Sequence, residues 1–204
     1  MFYNLSYKYL LPEDIQMENV YDVCPQFEND RFLLRYVQKS DAEDLLKIYS
    51  DKNALPFFNS DNCDGDNFYY DTMEKILKAI DFWIYSYDNK WFVRWVIVDK
   101  LTSEVIGTIE LFQRVSYDDF NGNGLLRLDL RSDYERADKI TDILSLIIPP
   151  AYDMFGCNEI ASKVPNYAVE REEAFSSYGF TRIDSGLISK DGLVFYGYMR
   201  ISRD

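Results

Sequence analysis

The chain of 204 residues contains no histidine. That absence excludes Ser-His-Asp triads, histidine metal sites and histidine as a general base. Cysteine is scarce: Cys24, Cys63 and Cys157 show no metal-ligand spacing, and an odd, unpatterned set argues against a disulfide framework. Basic residues are outnumbered, 22 Lys and Arg against 35 Asp and Glu, for a formal charge of −13. Nucleic acid is not an expected partner, because phosphate binding needs a basic face. No apolar run is long enough to span a bilayer, so no membrane association is expected. The opening residues MFYNLSYKYLLPED lack the basic and long apolar segments of a signal peptide. A soluble cytoplasmic protein is the expectation.

What is present is apolar and aromatic. Hydrophobic residues make up 47%, enough to fill the core of one domain with an extension. Residues 1–29, rich in tyrosine and acids, read as an N-terminal extension that packs on the domain or on a partner, with a homodimer contact as one use. Pro12-Glu13-Asp14 is a candidate helix start. Residues 30–204 read as the domain.

Residues 31–38 (RFLLRYVQ) read as a strand. Ser40-Asp41 then reads as an N-cap before a helix over 41–50. Residues 51–70 are turn-rich and aromatic, the expected region for binding an acceptor. Their acids Asp61, Asp64 and Asp66 lack the spacing of a calcium loop, and no metal site is expected. A second helix is predicted over 72–87. WFVRWVIVDK and EVIGTIELFQ form a hairpin, and a glycine-rich turn leads to the strand GLLRLDL (124–130). There Leu126, Leu128 and Leu130 share one face, and Arg127 and Asp129 the other.

The turn RSDYERAD then opens an apolar-striped helix. Pro149-Pro150 should stop or kink it near Ile148. NEIASKV is a strand, and Pro165-Asn166 should start a helix over 166–178. Two last strands flank the turn Lys190-Asp191-Gly192. The predicted order is β-α-α-β-β-β-α-β-α-β-β.

That order, with RFLLRYVQKSDAEDLLKIYSD, VIGTIELF and NEIASKVPNYAVEREEAFSSYGF, resembles the GNAT acetyltransferases over roughly residues 30–200. The branch it resembles most acetylates ribosomal-protein N-termini and similar amines. The resemblance implies an α/β (α+β) GNAT fold: a mixed, mostly antiparallel twisted sheet of about seven strands flanked by about four helices. It also implies acetyl-CoA as cofactor and a small-molecule or peptide amine as acceptor. The acetyl group would pass by direct attack. Leu128, Leu130, Arg131, the run Glu135 to Ile140, Asn166 and Phe175 would meet the cofactor.

The cofactor loop departs from the family pattern. Its Q/R-x-x-G-x-G/A run lets backbone N–H groups approach a pyrophosphate. The aligned residues here are Glu135, Arg136, Ala137, Asp138, Lys139 and Ile140. Asp138 and Ile140 replace the glycines, and charges cancel across 131–139. A carboxylate about 4 Å from a phosphate costs roughly 1 to 4 kcal/mol. Asp138 is expected to be the helix N-cap, its carboxylate satisfying N–H groups that would otherwise hold phosphate. The family's acid tyrosine is Phe175 here, which leaves Tyr178 or Tyr134 as candidate proton donors. Without histidine the base must be a carboxylate, and Glu110 and Asp129 are the candidates. Asp129 could instead pair with Arg127, and Glu110 could sit solvated at an edge. Two readings follow: an N-acetyltransferase, or a catalytically impaired GNAT-fold module that binds a peptide or protein.

Overall fold

The computed structural model describes residues 19–203. Expectations for residues 1–18, including the Pro12 helix start, lie outside them. The remainder of the N-terminal segment packs on the sheet. Strand β1 (Phe27–Glu28) pairs antiparallel with β2 (Phe32–Tyr36), and Trp95 Nε1 donates to the Pro25 carbonyl at 2.8 Å.

After β2 come helices α1 (Ala42–Tyr49) and α2 (Met73–Asp88), then strands β3 (Val93–Asp99), β4 (Val105–Gln113) and β5 (Gly124–Leu130). Helix α3 (Ala137–Phe155) crosses to β6 (Glu159–Lys163), and α4 (Val169–Tyr178) follows. The chain closes with β7 (Thr181–Arg182), β8 (Leu187–Ile188), β9 (Val194–Phe195) and β10 (Tyr198–Ser202). Eight strands form one sheet in the order β1-β2-β3-β4-β5-β6-β10-β7. Every pair is antiparallel except β5 with β6. The eighth strand is β1, contributed by the N-terminal segment. The closing hairpin is split: β8 and β9 pair around Gly192 (φ +83°), while β7 pairs with β10.

The two sheet faces differ in chemistry, as the alternation in β3 to β5 requires. Trp95, Ile109, Leu126, Leu128 and Leu130 pack with Ile140, Ile143, Leu144 and Ile147 of α3. The opposite face carries Arg94, Thr108, Glu110, Arg127 and Asp129, all buried. Gly107 of β4 lies against β5 so closely that a Cβ there would stand 2.5 Å from the Asp129 carbonyl oxygen.

Two local expectations are corrected. Helix α3 does not stop near Ile148 but continues through Pro149 and Pro150 to Phe155. Ile147, Ile148, Ala151, Tyr152 and Phe155 are all buried around the prolines. At roughly 1.5–3 kcal/mol for each large apolar side chain, their burial outweighs the prolines' cost of about 3 kcal/mol or more. Helix α4 begins at Val169, because Pro165 to Ala168 form a turn closed by Ala168 N–H on the Pro165 carbonyl. Asp41 does stand at the N-cap of α1, without a side-chain cap bond; it also ends a short 3-10 turn (Lys39–Asp41), accepts from Gln38 N–H and pairs with Arg35.

Candidate functional site

Strands β5 and β6 are in register only at Gly124 with Ile160, Leu125 with Ala161 and Leu126 with Ser162. Beyond Leu126 they part, and β5 continues to Leu130 beside a notch. The N-terminus of α3 follows β5 after a short loop, so the start of a 19-residue helix lies at the notch. A diverging parallel pair with a helix start beside it can take an extended, phosphate-bearing ligand.

The notch is filled by the chain itself. Arg171, in the first turn of α4, is fully buried. Its Nε and Nη2 donate to the two carboxylate oxygens of Glu135, and its Nη1 donates to the carbonyls of Leu128 (2.9 Å) and Phe57 (3.0 Å). The preceding residue, Glu170, accepts from Ala137 N–H at 2.8 Å. That is the first N–H of α3.

The loop's other polar groups are also engaged. Arg131 pairs with Asp133 and Glu104, and Arg136 lies 3.9 Å from Glu170. Lys139 donates to the Asp133 carbonyl and lies 3.7 Å from the Tyr134 ring centroid. As folded, the notch does not fit coenzyme A: a carboxylate holds the helix start and a guanidinium holds the Leu128 carbonyl.

The expected blockers do not fill the notch. Asp138 is not the N-cap; that position is Arg136, which makes no side-chain cap bond. Asp138 is exposed and turns toward Arg31 at 3.1 Å, and its carboxylate also faces the N–H groups of Lys139 and of its own residue. Ile140 is buried in the core under the sheet, away from solvent. Asn166 is exposed in the turn before α4, and Phe175 is buried against Phe180 at a ring separation of 4.8 Å. Tyr134 is buried with its hydroxyl donating to Asp99 at 2.8 Å; burial, chiefly, and Asp99 push its pKa up to about 12. Tyr178 is half-buried near Phe180.

The two carboxylate candidates lie in one buried network on the α1/α2 face. Both oxygens of Glu110 are held, one by Arg94 and one by Arg127. Burial alone would raise its pKa, but the two guanidiniums outweigh burial and hold it below the usual range. Asp129 Oδ2 accepts from Tyr49 at 2.9 Å and from Arg94 at 3.2 Å. Its Oδ1 has no hydrogen-bond partner, and burial raises its pKa against the pull of Arg94 and Tyr49. The expected pairing of Asp129 with Arg127 is replaced by Arg94, and Glu110 is not at a solvated edge.

A cavity of about 330 Å³ opens over this network, with Glu110, Arg94 and Arg127 among its walls. Asp64, Asp66, Phe68 and Tyr70 supply the side from the 51–70 loop. Asp61 is committed to Lys163 and to the Tyr198 hydroxyl, and Asp64 to Lys190. Among the described residues no group of three potential metal ligands comes together.

Sequence reasoning missed Arg94 and Arg171. A lone charge in the apolar run WFVRWVIV signalled the first. The second pairs with Glu135 at 36 residues' separation, and no local pattern marks it.

No family model matches the chain. In sequence it is 26% identical over 159 residues to an uncharacterized N-acetyltransferase of Bacillus subtilis, YoaA, covering 78% of this chain and 71% of that protein. In structure it resembles ribosomal-protein-S5-alanine acetyltransferase from Vibrio fischeri, with TM-score 0.61 and 15% identity. That alignment covers 88% of this chain and 97% of the other. It also resembles spermidine N-acetyltransferase from Vibrio cholerae, solved with CoA and spermine, with TM-score 0.60 and 12% identity over 86% and 97% of the two chains. The protein has the GNAT fold. Its likeness in sequence to an N-acetyltransferase supports a place in the GNAT superfamily.

Proposed function

We propose that the protein is an N-acetyltransferase that passes an acetyl group from acetyl-CoA to a primary amine. The observation that carries this is the divergence of β5 from β6 beside the start of α3, in a chain related in sequence to a named N-acetyltransferase. The acceptor is a small-molecule or peptide amine. The V. fischeri and V. cholerae structures belong to enzymes named for acceptors of these two kinds. An acceptor cation suits a chain with a formal charge of −13, and Asp64 and Asp66 give the cavity acidic walls.

Asp129 is the proton acceptor in this reading, because its Oδ1 is unpartnered and burial raises its pKa, making it the more basic of the two carboxylates. Glu110 clamps the two arginines. Tyr134 is committed to Asp99, and Tyr178 is proposed as the proton donor. The cofactor-contacting set expected on Leu128, Leu130, Arg131 and Glu135 to Ile140 requires the exposed Glu170 carboxylate to yield first, with Arg171 staying in place. The cytoplasm is the proposed place of action. A homodimer is proposed through the aromatic arm, near which Tyr85 and Trp91 are exposed.

The deciding assay is thiol release from acetyl-CoA across a panel of polyamines and peptides with free N-termini. Acetylated amine is the expected product. No transfer to any amine at millimolar acetyl-CoA would count against the enzyme and favour the peptide-binding module.

A further inference from the structure

We infer that Glu170 is an internal competitor for the cofactor's phosphates. It holds the start of α3 and gives it up when cofactor binds. The inference rests on the acetyl-CoA reading above.

Three observations carry it. Glu170 Oε2 takes the Ala137 N–H at 2.8 Å, the first free donor of a long helix. An anion is favoured at that position by the first-turn N–H groups, which have no partner within the helix, and by the helix dipole. Glu170 Oε1 faces Arg136 at 3.9 Å, so the same carboxylate also holds the loop's exposed guanidinium. A phosphate arriving at this helix start meets a seat already held by a carboxylate.

The neighbouring residues explain why Glu170 is the movable part. Arg171 is fully buried and bonded through all three guanidinium nitrogens, which fixes the first turn of α4. Glu170 is 45% exposed, and rotation of its side chain into solvent breaks no buried pair. Arg136, released at the same moment, is 62% exposed at the same edge and becomes a cation for the incoming anion. The latch thus exchanges one anion for another at one seat, without unfolding the helix. Neither Asp138 nor Ile140 needs to change.

The test is calorimetric titration of the full chain with CoA at fixed moderate salt. Wild type is compared with Glu170→Ala, Glu170→Gln and, as a charge-matched control on the same helix, Glu173→Ala. A charge-assisted hydrogen bond at a half-exposed helix start is worth about tenfold in a competing equilibrium. Glu170→Ala is therefore expected to bind CoA about tenfold tighter, with Glu170→Gln intermediate and Glu173→Ala at the wild-type value. Glu170→Gln keeps the side chain's packing, and thermal melts establish that each variant is folded. Equal affinity in wild type and both Glu170 variants would overturn the latch and leave the cofactor reading standing. An equal gain in Glu173→Ala would overturn it too, as a general charge effect. No binding by any variant at millimolar CoA would remove the cofactor reading itself, and the latch with it.

Discussion

Two buried arginine clusters meet β5, one in the notch and one on the α1/α2 face, and they are built to different standards. In the notch, Arg171 meets Glu135, Leu128 and Phe57, and every guanidinium nitrogen has a partner. On the α1/α2 face, Arg94, Arg127, Glu110 and Asp129 share one network in which Arg94 Nε, Arg127 Nε and Asp129 Oδ1 stay unpartnered. A buried polar group left unbonded costs free energy, so natural interiors keep few of them. The completed cluster braces the fold. The incomplete one lies under a cavity and retains an unpartnered acceptor oxygen.

The largest effect on this contrast is expected from Arg171→Ala. It strands the buried Glu135 carboxylate, and loss of one partner of a buried pair costs about 3–5 kcal/mol. Urea unfolding should show it directly. A cost under about 1 kcal/mol would mean that the notch is not braced in this way.

Asp129→Asn should separate catalysis from stability. Acetyl transfer is expected to fall at least about a hundredfold, as for loss of a general base. Stability should hold or rise. The folded pKa of Asp129 is raised, so its contribution is full below the unfolded value of about 4 and is lost as pH rises through the folded value. Asparagine mimics the protonated form. The base works ionised, so the wild-type rate should fall as pH drops through that raised value, giving an acid limb above about pH 4. A limb at the ordinary carboxylate position, or an active Asp129→Asn, would move the base elsewhere.

The smallest effect is expected from Tyr49→Phe. The hydroxyl meets Thr108 at 2.7 Å and donates to Asp129 Oδ2 at 2.9 Å. Its loss should cost about 1 kcal/mol in a melt. It should also move the acid limb upward, because one hydrogen bond favouring the ionised carboxylate is gone. An unmoved limb would uncouple Tyr49 from the reaction.

Much of the scaffold was legible because it is written in local periods. Alternation in GLLRLDL placed Leu126, Leu128 and Leu130 on the helix-covered face and Arg127 and Asp129 on the other. The apolar stripe of α3 and the turn at Gly192 were legible in the same way. Where local rules misled, packing had overruled them. The rule that proline ends a helix gave way at Pro149 and Pro150 to burial against the sheet, and the expected Asp138 cap gave way to Glu170 reaching across from α4.

The sequence by itself determined the order of the four helices and the central strands, the net charge of −13, the exclusion of histidine chemistry and the choice of carboxylates as candidate bases. Each follows from composition or from contacts a few residues apart. Only the tertiary structure decided which carboxylate keeps an open oxygen and what occupies the notch. Those outcomes depend on Arg94 reaching Asp129 across 35 residues and Glu170 reaching Ala137 across 33. No local pattern encodes which distant partner a buried charge will find. The folded backbone brings those groups within hydrogen-bonding distance, and the cost of leaving them unpaired selects the arrangement.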